Sequence, residues 1–367
     1  MKESTPMSPR PGTARRAFLK LGLGMAGALA APGLGTSRAQ TPTRQTRTSR
    51  TRSIDMHNHW SPESYNKAFA AATGQLPDEA ANPLYFDLEK RLVWMDQHGA
   101  QLHVLTMSGR MPWHLVSPEV GAELASIVND AAVAAHTAHP DRFLGAVEMS
   151  IRDPQLALKE LNRVAGKPGI RAVHLPNSIG GEDYLFAPAY EPLLARCEEL
   201  GYPLLFHPLD GETNFYGGKD RLGGRWGSAM LSNTVGFPAE HATTAAKFIV
   251  SGTLDKFPRL EVVLPHAGGA FPFIAGRIEH ALVARKFPLP RPFREYLRRF
   301  HYDTLAFWPE TLQYLVKLVG SDRVVIGTDI YYPMDEERPN TFIEQIELTA
   351  QDRDRILGGN AERLLHL

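Results

Sequence analysis

The chain has 367 residues, 43% of them apolar, a single cysteine, and a formal net charge of zero from 40 basic and 40 acidic side chains. A chain of this size can bury a large core. One cysteine, Cys197, excludes an internal disulfide and a thiolate metal cage, and with no basic block beyond residue 52 the body carries no electrostatic footprint for nucleic acid.

Arg15-Arg16-Ala17-Phe18-Leu19-Lys20 opens the first recognisable segment. A Gly- and Ala-rich apolar run follows from Leu21 to Leu34, and Ser37-Arg38-Ala39 offers small residues at the first and third positions of a cleavage site. This order predicts a twin-arginine (Tat) signal peptide over residues 1–39 and a periplasmic destination. A flexible Thr- and Arg-rich tether is expected over residues 40–53. An uncleaved anchor is the alternative, but the run is short for a spanning helix and interrupted by Pro32, so no stable membrane insertion after processing is expected.

From residue 54 to 367 the sequence alternates strand-like and helix-like segments. The expected strands are Arg52–His59, Gln101–Met107, Phe143–Ser150, Ile170–Pro176, Pro203–His207, Leu260–His266, His301–Phe307 and Arg323–Asp329. Several are short apolar runs, as strands buried on both faces should be. Helical patterns lie between them: Phe86–His98, Pro118–His139, Pro154–Val164, Pro188–Leu200, Pro238–Phe257, Phe271–Lys286 and Pro309–Val319. Proline near a first turn removes a hydrogen that would have no partner there, and Gly99 and Gly201 mark helix ends. Eight strands alternating with helices predict an α/β fold, a (β/α)₈ TIM barrel, with a doubly wound open sheet as the competing topology. The Gly- and Arg-rich stretch from Leu209 to Leu231 follows strand five and reads as a substrate-covering loop.

Five metal-ligand residue types fall at strand ends: His57 and His59 after strand one, His207 after strand five, His266 after strand six and Asp329 after strand eight. Residues i and i+2 of a strand face the same way, so His57 and His59 present two imidazoles to one point. A carboxylate ending a buried strand, as Asp329 does, must be paired or metal-bound, because an unpaired buried charge is costly. Three or four imidazoles and one carboxylate suit a divalent, zinc-like ion with an open position. The arrangement also favours the barrel, which gathers its catalytic residues at the carboxyl ends of its strands. Asp55 reads as structural. His174, inside strand four, and His241, at a helix start, are left open between site residue and satisfied core histidine. Gly268 and Gly269, after His266, are expected to let the backbone approach a ligand.

The segments Asp55-Met56-His57-Asn58-His59, Phe206-His207-Pro208, Gly236-Phe237-Pro238-Ala239-Glu240, Leu254-Asp255-Lys256-Phe257-Pro258, His266-Ala267-Gly268-Gly269-Ala270-Phe271-Pro272-Phe273, Gly276-Arg277, Gly327-Thr328-Asp329 and Gly359-Asn360-Ala361 occur in order. On these the body resembles the amidohydrolase-related branch of the amidohydrolase superfamily, the branch that includes aminocarboxymuconate-semialdehyde decarboxylase. The resemblance implies a barrel with one divalent metal, zinc or alternatively manganese. His57, His59, His207 and Asp329 match its ligand positions, and His266 matches an acid–base histidine beside the metal. Asp329 could relay a proton as well as bind the ion. Arg277 matches an arginine that crosses a dimer interface to hold a substrate carboxylate, so a homodimer acting on a small-molecule carboxylate is implied.

Trp60 to Tyr85 contains no arginine where the decarboxylase carries a second one. Gly211–Gly227, with Lys219, Arg221, Arg225 and Trp226, also differs, so the resemblance carries the metal site and not the muconate substrate. Non-oxidative decarboxylation of a small aromatic or unsaturated carboxylate is the expected reaction. Hydrolysis of a lactone, ester or amide is the alternative, and a non-catalytic periplasmic binding barrel a lesser one.

Overall fold

In a computed structural model, residues 52–107, 111–179, 183–209, 231–331 and 334–367 are described. The signal segment, the tether up to residue 51 and the loop bearing Lys219, Arg221, Arg225 and Trp226 lie outside them. Eight strands, β1 (Ile54–Asp55), β2 (Leu102–Leu105), β3 (Phe143–Val147), β4 (Ile170–Pro176), β5 (Leu204–His207), β6 (Val262–Leu264), β7 (Phe300–Asp303) and β8 (Val324–Val325), pair in parallel in sequence order. A parallel bridge between Asp55 and Ile326 brings the last strand back to the first, with the Met56 amide donating to the Ile326 carbonyl at 2.9 Å. The sheet therefore curls into a barrel with helices outside, and the open-sheet topology is excluded. Most strands are shorter than expected, whereas β4 matches its expected bounds and β5 keeps His207 in the ladder.

Strand alternation divides the core. Ile54, Met56, Leu102, Val104, Leu144, Ala146, Ala172, Leu205, Val263 and Val325 fill the barrel interior. Ala361, Leu364 and Leu365 of the last helix, Asn360–Leu365, close this cluster from the end away from the histidines. The alternate strand residues, among them Phe143, Val173, Phe206, Val262 and Phe300, face the helices. Each fully buried side chain of this kind contributes roughly 1.5–3 kcal/mol relative to exposure.

The expected helices appear with shifts at their ends. Pro154–Val164 and Pro309–Val319 match, with proline in the first turn. The Asp153 side chain accepts from the Gln155 and Leu156 amides at 2.8 and 3.0 Å, capping its helix. Gly99 and Gly201 end their helices at φ 76° and 66°. Pro238–Phe257 divides into Phe237–Val250 and Thr253–Lys256, because Gly252 adopts φ 73°. A further helix, Glu63–Thr73, follows β1. Among the described residues no helix is long and apolar enough to cross a membrane.

The turn after β6 is the sharpest at the site end. His266, Ala267, Gly268 and Gly269 all have positive φ, from 54° to 76°. A Cβ on Gly269 would lie 2.5 Å from the Pro238 carbonyl oxygen, and the Ala270 amide donates to that same oxygen at 3.0 Å. The close approach this glycine allows is thus to the helix start at Pro238. Gly269→Ala should lose about 1–3 kcal/mol or more from backbone strain plus contact, read as a lowered Tm. An unchanged Tm would contradict this packing.

Candidate metal centre

The four sequence-predicted ligands converge. One ligand atom from each of His57, His59, His207 and Asp329 lies within 4.8 Å of the others, and all four residues are buried. The three imidazoles stand edge-on, with centroids 4.7–5.4 Å apart. Asp329 reaches them from beyond β8 in a left-handed conformation, φ 59°, which a short polar side chain tolerates. Its Oδ1 is 2.6 Å from His59 Nε2 and 3.4 Å from His57 Nε2.

Each histidine donates its Nδ1 hydrogen to an oxygen outside the cluster. His57 donates to Asp303 Oδ2 at 2.7 Å, His59 to the Met107 carbonyl at 3.3 Å, and His207 to the Pro208 carbonyl at 2.7 Å. Every Nε2 is then an acceptor, as are the oxygens of Asp329. Acceptors gathered this closely need a cation between them, and the buried His57 Nε2 has no hydrogen-bond partner. Three nitrogens and one carboxylate fit a single divalent ion of the zinc or manganese kind.

The charges agree. Burial alone would disfavour the His57 imidazolium, but Asp303 and Asp329 outweigh it and raise its pKa to about 10 in the metal-free protein. Burial, with the neighbouring histidines, holds His207 well below the usual imidazole range. Burial would raise Asp329, yet the surrounding imidazoles of His266, His57 and His59 hold it well below the carboxylate range.

His266 stands beside the four. Its Nε2 is 3.6 Å from Asp329 Oδ2, and its Nδ1 is 2.9 Å from His241 Nε2. It and Asp329 form the inner wall of a cavity of about 270 Å³, whose other walls include Phe273, Leu305, Phe307 and Tyr314. Arg277 is exposed on the helix Phe271–Ala284 and does not line this cavity within its own chain. His174 lies under the histidines, bonded to Glu148 Oε1 at 2.7 Å and directed to a small internal void that also touches His57 and Asp303.

Two supporting residues escaped the sequence reading. Asp303, ending β7, accepts from His57 and from the amides of His266 (3.0 Å), Ala267 (2.7 Å) and Leu305 (3.0 Å). The rule that selected Asp329, a carboxylate closing an apolar strand, also selects Asp303. Arg91, fully buried, donates to Asn58 Oδ1 at 2.9 Å and to the carbonyls of His59 and Leu84. An arginine three residues before Trp94 and four before Met95, on the buried face of its helix, was the available signal. Asp55 is structural as expected: it accepts from the His57 amide and the Thr328 hydroxyl, and burial raises its pKa to about 7. Strand alternation would place it with His57 and His59; the bend at Met56 and His57 separates them.

A model of the amidohydrolase family matches residues 54–367. The chain is 31% identical, over 77% of each sequence, to a 2-amino-3-carboxymuconate-6-semialdehyde decarboxylase from Dictyostelium discoideum. It is 27% identical to a gamma-resorcylate decarboxylase from a Rhizobium species, over 86% of this chain and 98% of that one. The crystal structure of a 5-carboxyvanillate decarboxylase from Sphingomonas paucimobilis superposes with a TM-score of 0.75 at 26% identity, covering 86% of this chain and 99% of that one. The chain belongs to the amidohydrolase family.

Asp303→Asn keeps the shape but removes the charge that fixes His57, so metal affinity should fall roughly 10- to 100-fold, measured by chelator competition. Below its raised pKa of about 10 the metal-free His57 holds a second ring proton. Ion binding must displace that proton, so apparent affinity should rise with pH between about 6 and 9, with proton release detectable by calorimetry in buffers of different ionisation heat. Affinity flat across this range would contradict the charge assignment.

Proposed function

We propose that this amidohydrolase-family chain is a metal-dependent carboxy-lyase that removes CO₂ from a small phenolic or unsaturated carboxylate. The observation that carries the reading is His266, held between the ligand Asp329 and an apolar, aromatic-walled cavity. The similarity to decarboxylases of a muconate semialdehyde, a resorcylate and a carboxyvanillate supports the same reaction here. A volume of about 270 Å³ lies at the small end of ligand sites and suits a one-ring acid.

When bound, a divalent ion supplies Lewis-acid polarisation of a substrate oxygen. Phe273, Phe307, Tyr314 and Leu315 hold the ring and exclude water. Histidine is the side chain most often used for proton transfer near neutral pH, and His266, as its imidazolium, delivers a proton from Nε2 to the carbon that bears the carboxylate. The bond to the carboxylate carbon then breaks, its electron pair restores the ring, and CO₂ leaves. Solvent returns the proton to His266. Asp329 orients the imidazole.

Zinc is the favoured ion and manganese the alternative, both consistent with an N₃O donor set. No arginine or lysine is found among the described residues that line the cavity. The match of Arg277 to an interface-crossing arginine supports a homodimer in which Arg277 serves the partner's cavity. The twin-arginine segment at Arg15-Arg16 and the apolar run after it support export to the periplasm as a folded protein.

Chelation should reduce CO₂ release from a panel of phenolic carboxylates to background, and zinc or manganese should restore it. His266→Asn should lower kcat roughly 10²- to 10⁴-fold with the ion retained. Acid release from lactones or esters without CO₂ from any carboxylate would overturn the lyase assignment.

A further inference from the structure

Phe307 holds a backbone conformation that burial does not explain. Thr304 to Trp308 join Asp303, the last residue of β7, to the helix Pro309–Val319. Within this link the Ala306 amide donates to the Thr304 carbonyl and the Trp308 amide to the Ala306 carbonyl, both at 2.7 Å. These are two successive three-residue turns, and Phe307, at the centre of the second, has φ 58°. A turn of that hand is rare and strained, and a bulky side chain makes it more so. Glycine or asparagine is what such a position favours. The Phe307 ring is 42% exposed and is not among the apolar side chains packed on the core. It does line the cavity, together with His266 and Asp329. A side chain that is both a cavity wall and part exposed stands at the opening.

We propose that Phe307 is a specificity-determining residue: the strained turn holds its ring at the cavity opening and limits the substrate to a single ring. The proposal rests on the carboxylate reading of the site and adds a size limit to it. Strained backbone persists where its surroundings over-determine it, and both ends of this link are fixed. The Leu305 amide donates to Asp303 Oδ1 at 3.0 Å, and the Thr311 and Leu312 amides donate to the Trp308 carbonyl at 3.1 Å. The backbone beneath the ring therefore cannot swing aside without undoing one of these anchors. Other walls are tied down as well: Phe273 and Tyr314 stack with centroids 4.7 Å apart, and the Tyr314 hydroxyl donates to the Pro272 carbonyl at 3.1 Å. A one-ring acid suits the cavity of about 270 Å³; a second fused ring has to take the space of the Phe307 ring.

The test compares salicylate with 1-hydroxy-2-naphthoate, which carries the same carboxylate and hydroxyl on two fused rings. By calorimetry, the zinc-loaded wild-type protein should bind the two-ring acid roughly tenfold or more weakly. In Phe307→Ala and Phe307→Gly that gap should close to about threefold or less. Phe307→Tyr keeps the ring and should keep the gap, and zinc content should match the wild type in all three. The strain is read separately. Alanine is ordinarily the more stabilising of the two small residues, but a positive φ reverses that order, so Phe307→Gly should melt roughly 1–3 °C above Phe307→Ala. A gap unchanged in both open variants, equal binding of the two acids by the wild type, binding of neither acid, or a Phe307→Ala that melts above Phe307→Gly would each overturn the proposal. Should the acids bind with the expected gap while no carboxylate releases CO₂, the lyase assignment fails and the size limit stands. If one open variant does not fold, the other and Phe307→Tyr still read the gap.

Discussion

The Asp303 carboxylate accepts hydrogen bonds from three parts of the chain: the His57 ring, the amides of His266 and Ala267, and the amide of Leu305. After β6, His266 and Ala267 hold positive φ values, which cost a non-glycine residue about 1–3 kcal/mol each. Charge-assisted bonds of roughly 1.5–3 kcal/mol each are of the size needed to offset them. Because the same oxygen that accepts from the His266 amide also fixes the His57 ring, the candidate metal ligand and the candidate acid–base residue share one anchor. Their relative placement is set by a single side chain on a central strand and does not depend on two loops settling independently.

That dependence explains which parts of the site were legible in the sequence. His57, His59, His207 and Asp329 could be found because strand periodicity and strand ends place them, and the structure brings all four together. Asp303 ends a strand in the same way, but a search for ligands passes over a carboxylate whose partners are backbone amides. His241 and His174 could not be separated by pattern, since one partner is a histidine on another segment and the other a glutamate just beyond a neighbouring strand. Asp55 read as structural and is so, accepting from the His57 amide and the Thr328 hydroxyl. The barrel order was readable because short apolar runs alternated with proline-started helices. The break at Gly252 was not, since a glycine within a helical pattern marks a stop only when its φ is known.

The centre separates two chemical duties by hydrogen-bond direction. The three ligand histidines donate outward from Nδ1, to Asp303, Met107 and Pro208, and so turn lone pairs inward. His266 instead has a histidine behind its Nδ1, His241 Nε2 at 2.9 Å, and turns its Nε2 side toward Asp329. Identical side chains a few ångströms apart thus sit in different settings: oxygens stand behind the three clustered rings and a histidine behind the fourth. The apolar walls sharpen the distinction, since water admitted there would offer every ring both a donor and an acceptor.

The bridge from Asp55 to Ile326 has a mechanical consequence. β1 and β8 are each only two residues long, so the barrel is joined along its first and last strands by its thinnest backbone ladder. His57 and His59 lie on one side of that join and Asp329 on the other, with side-chain atoms already 2.6 Å apart across it. An ion held by these residues would act as a rivet through the weakest point of the ring, so the reagent of the reaction would also be the fastener of the vessel that contains it.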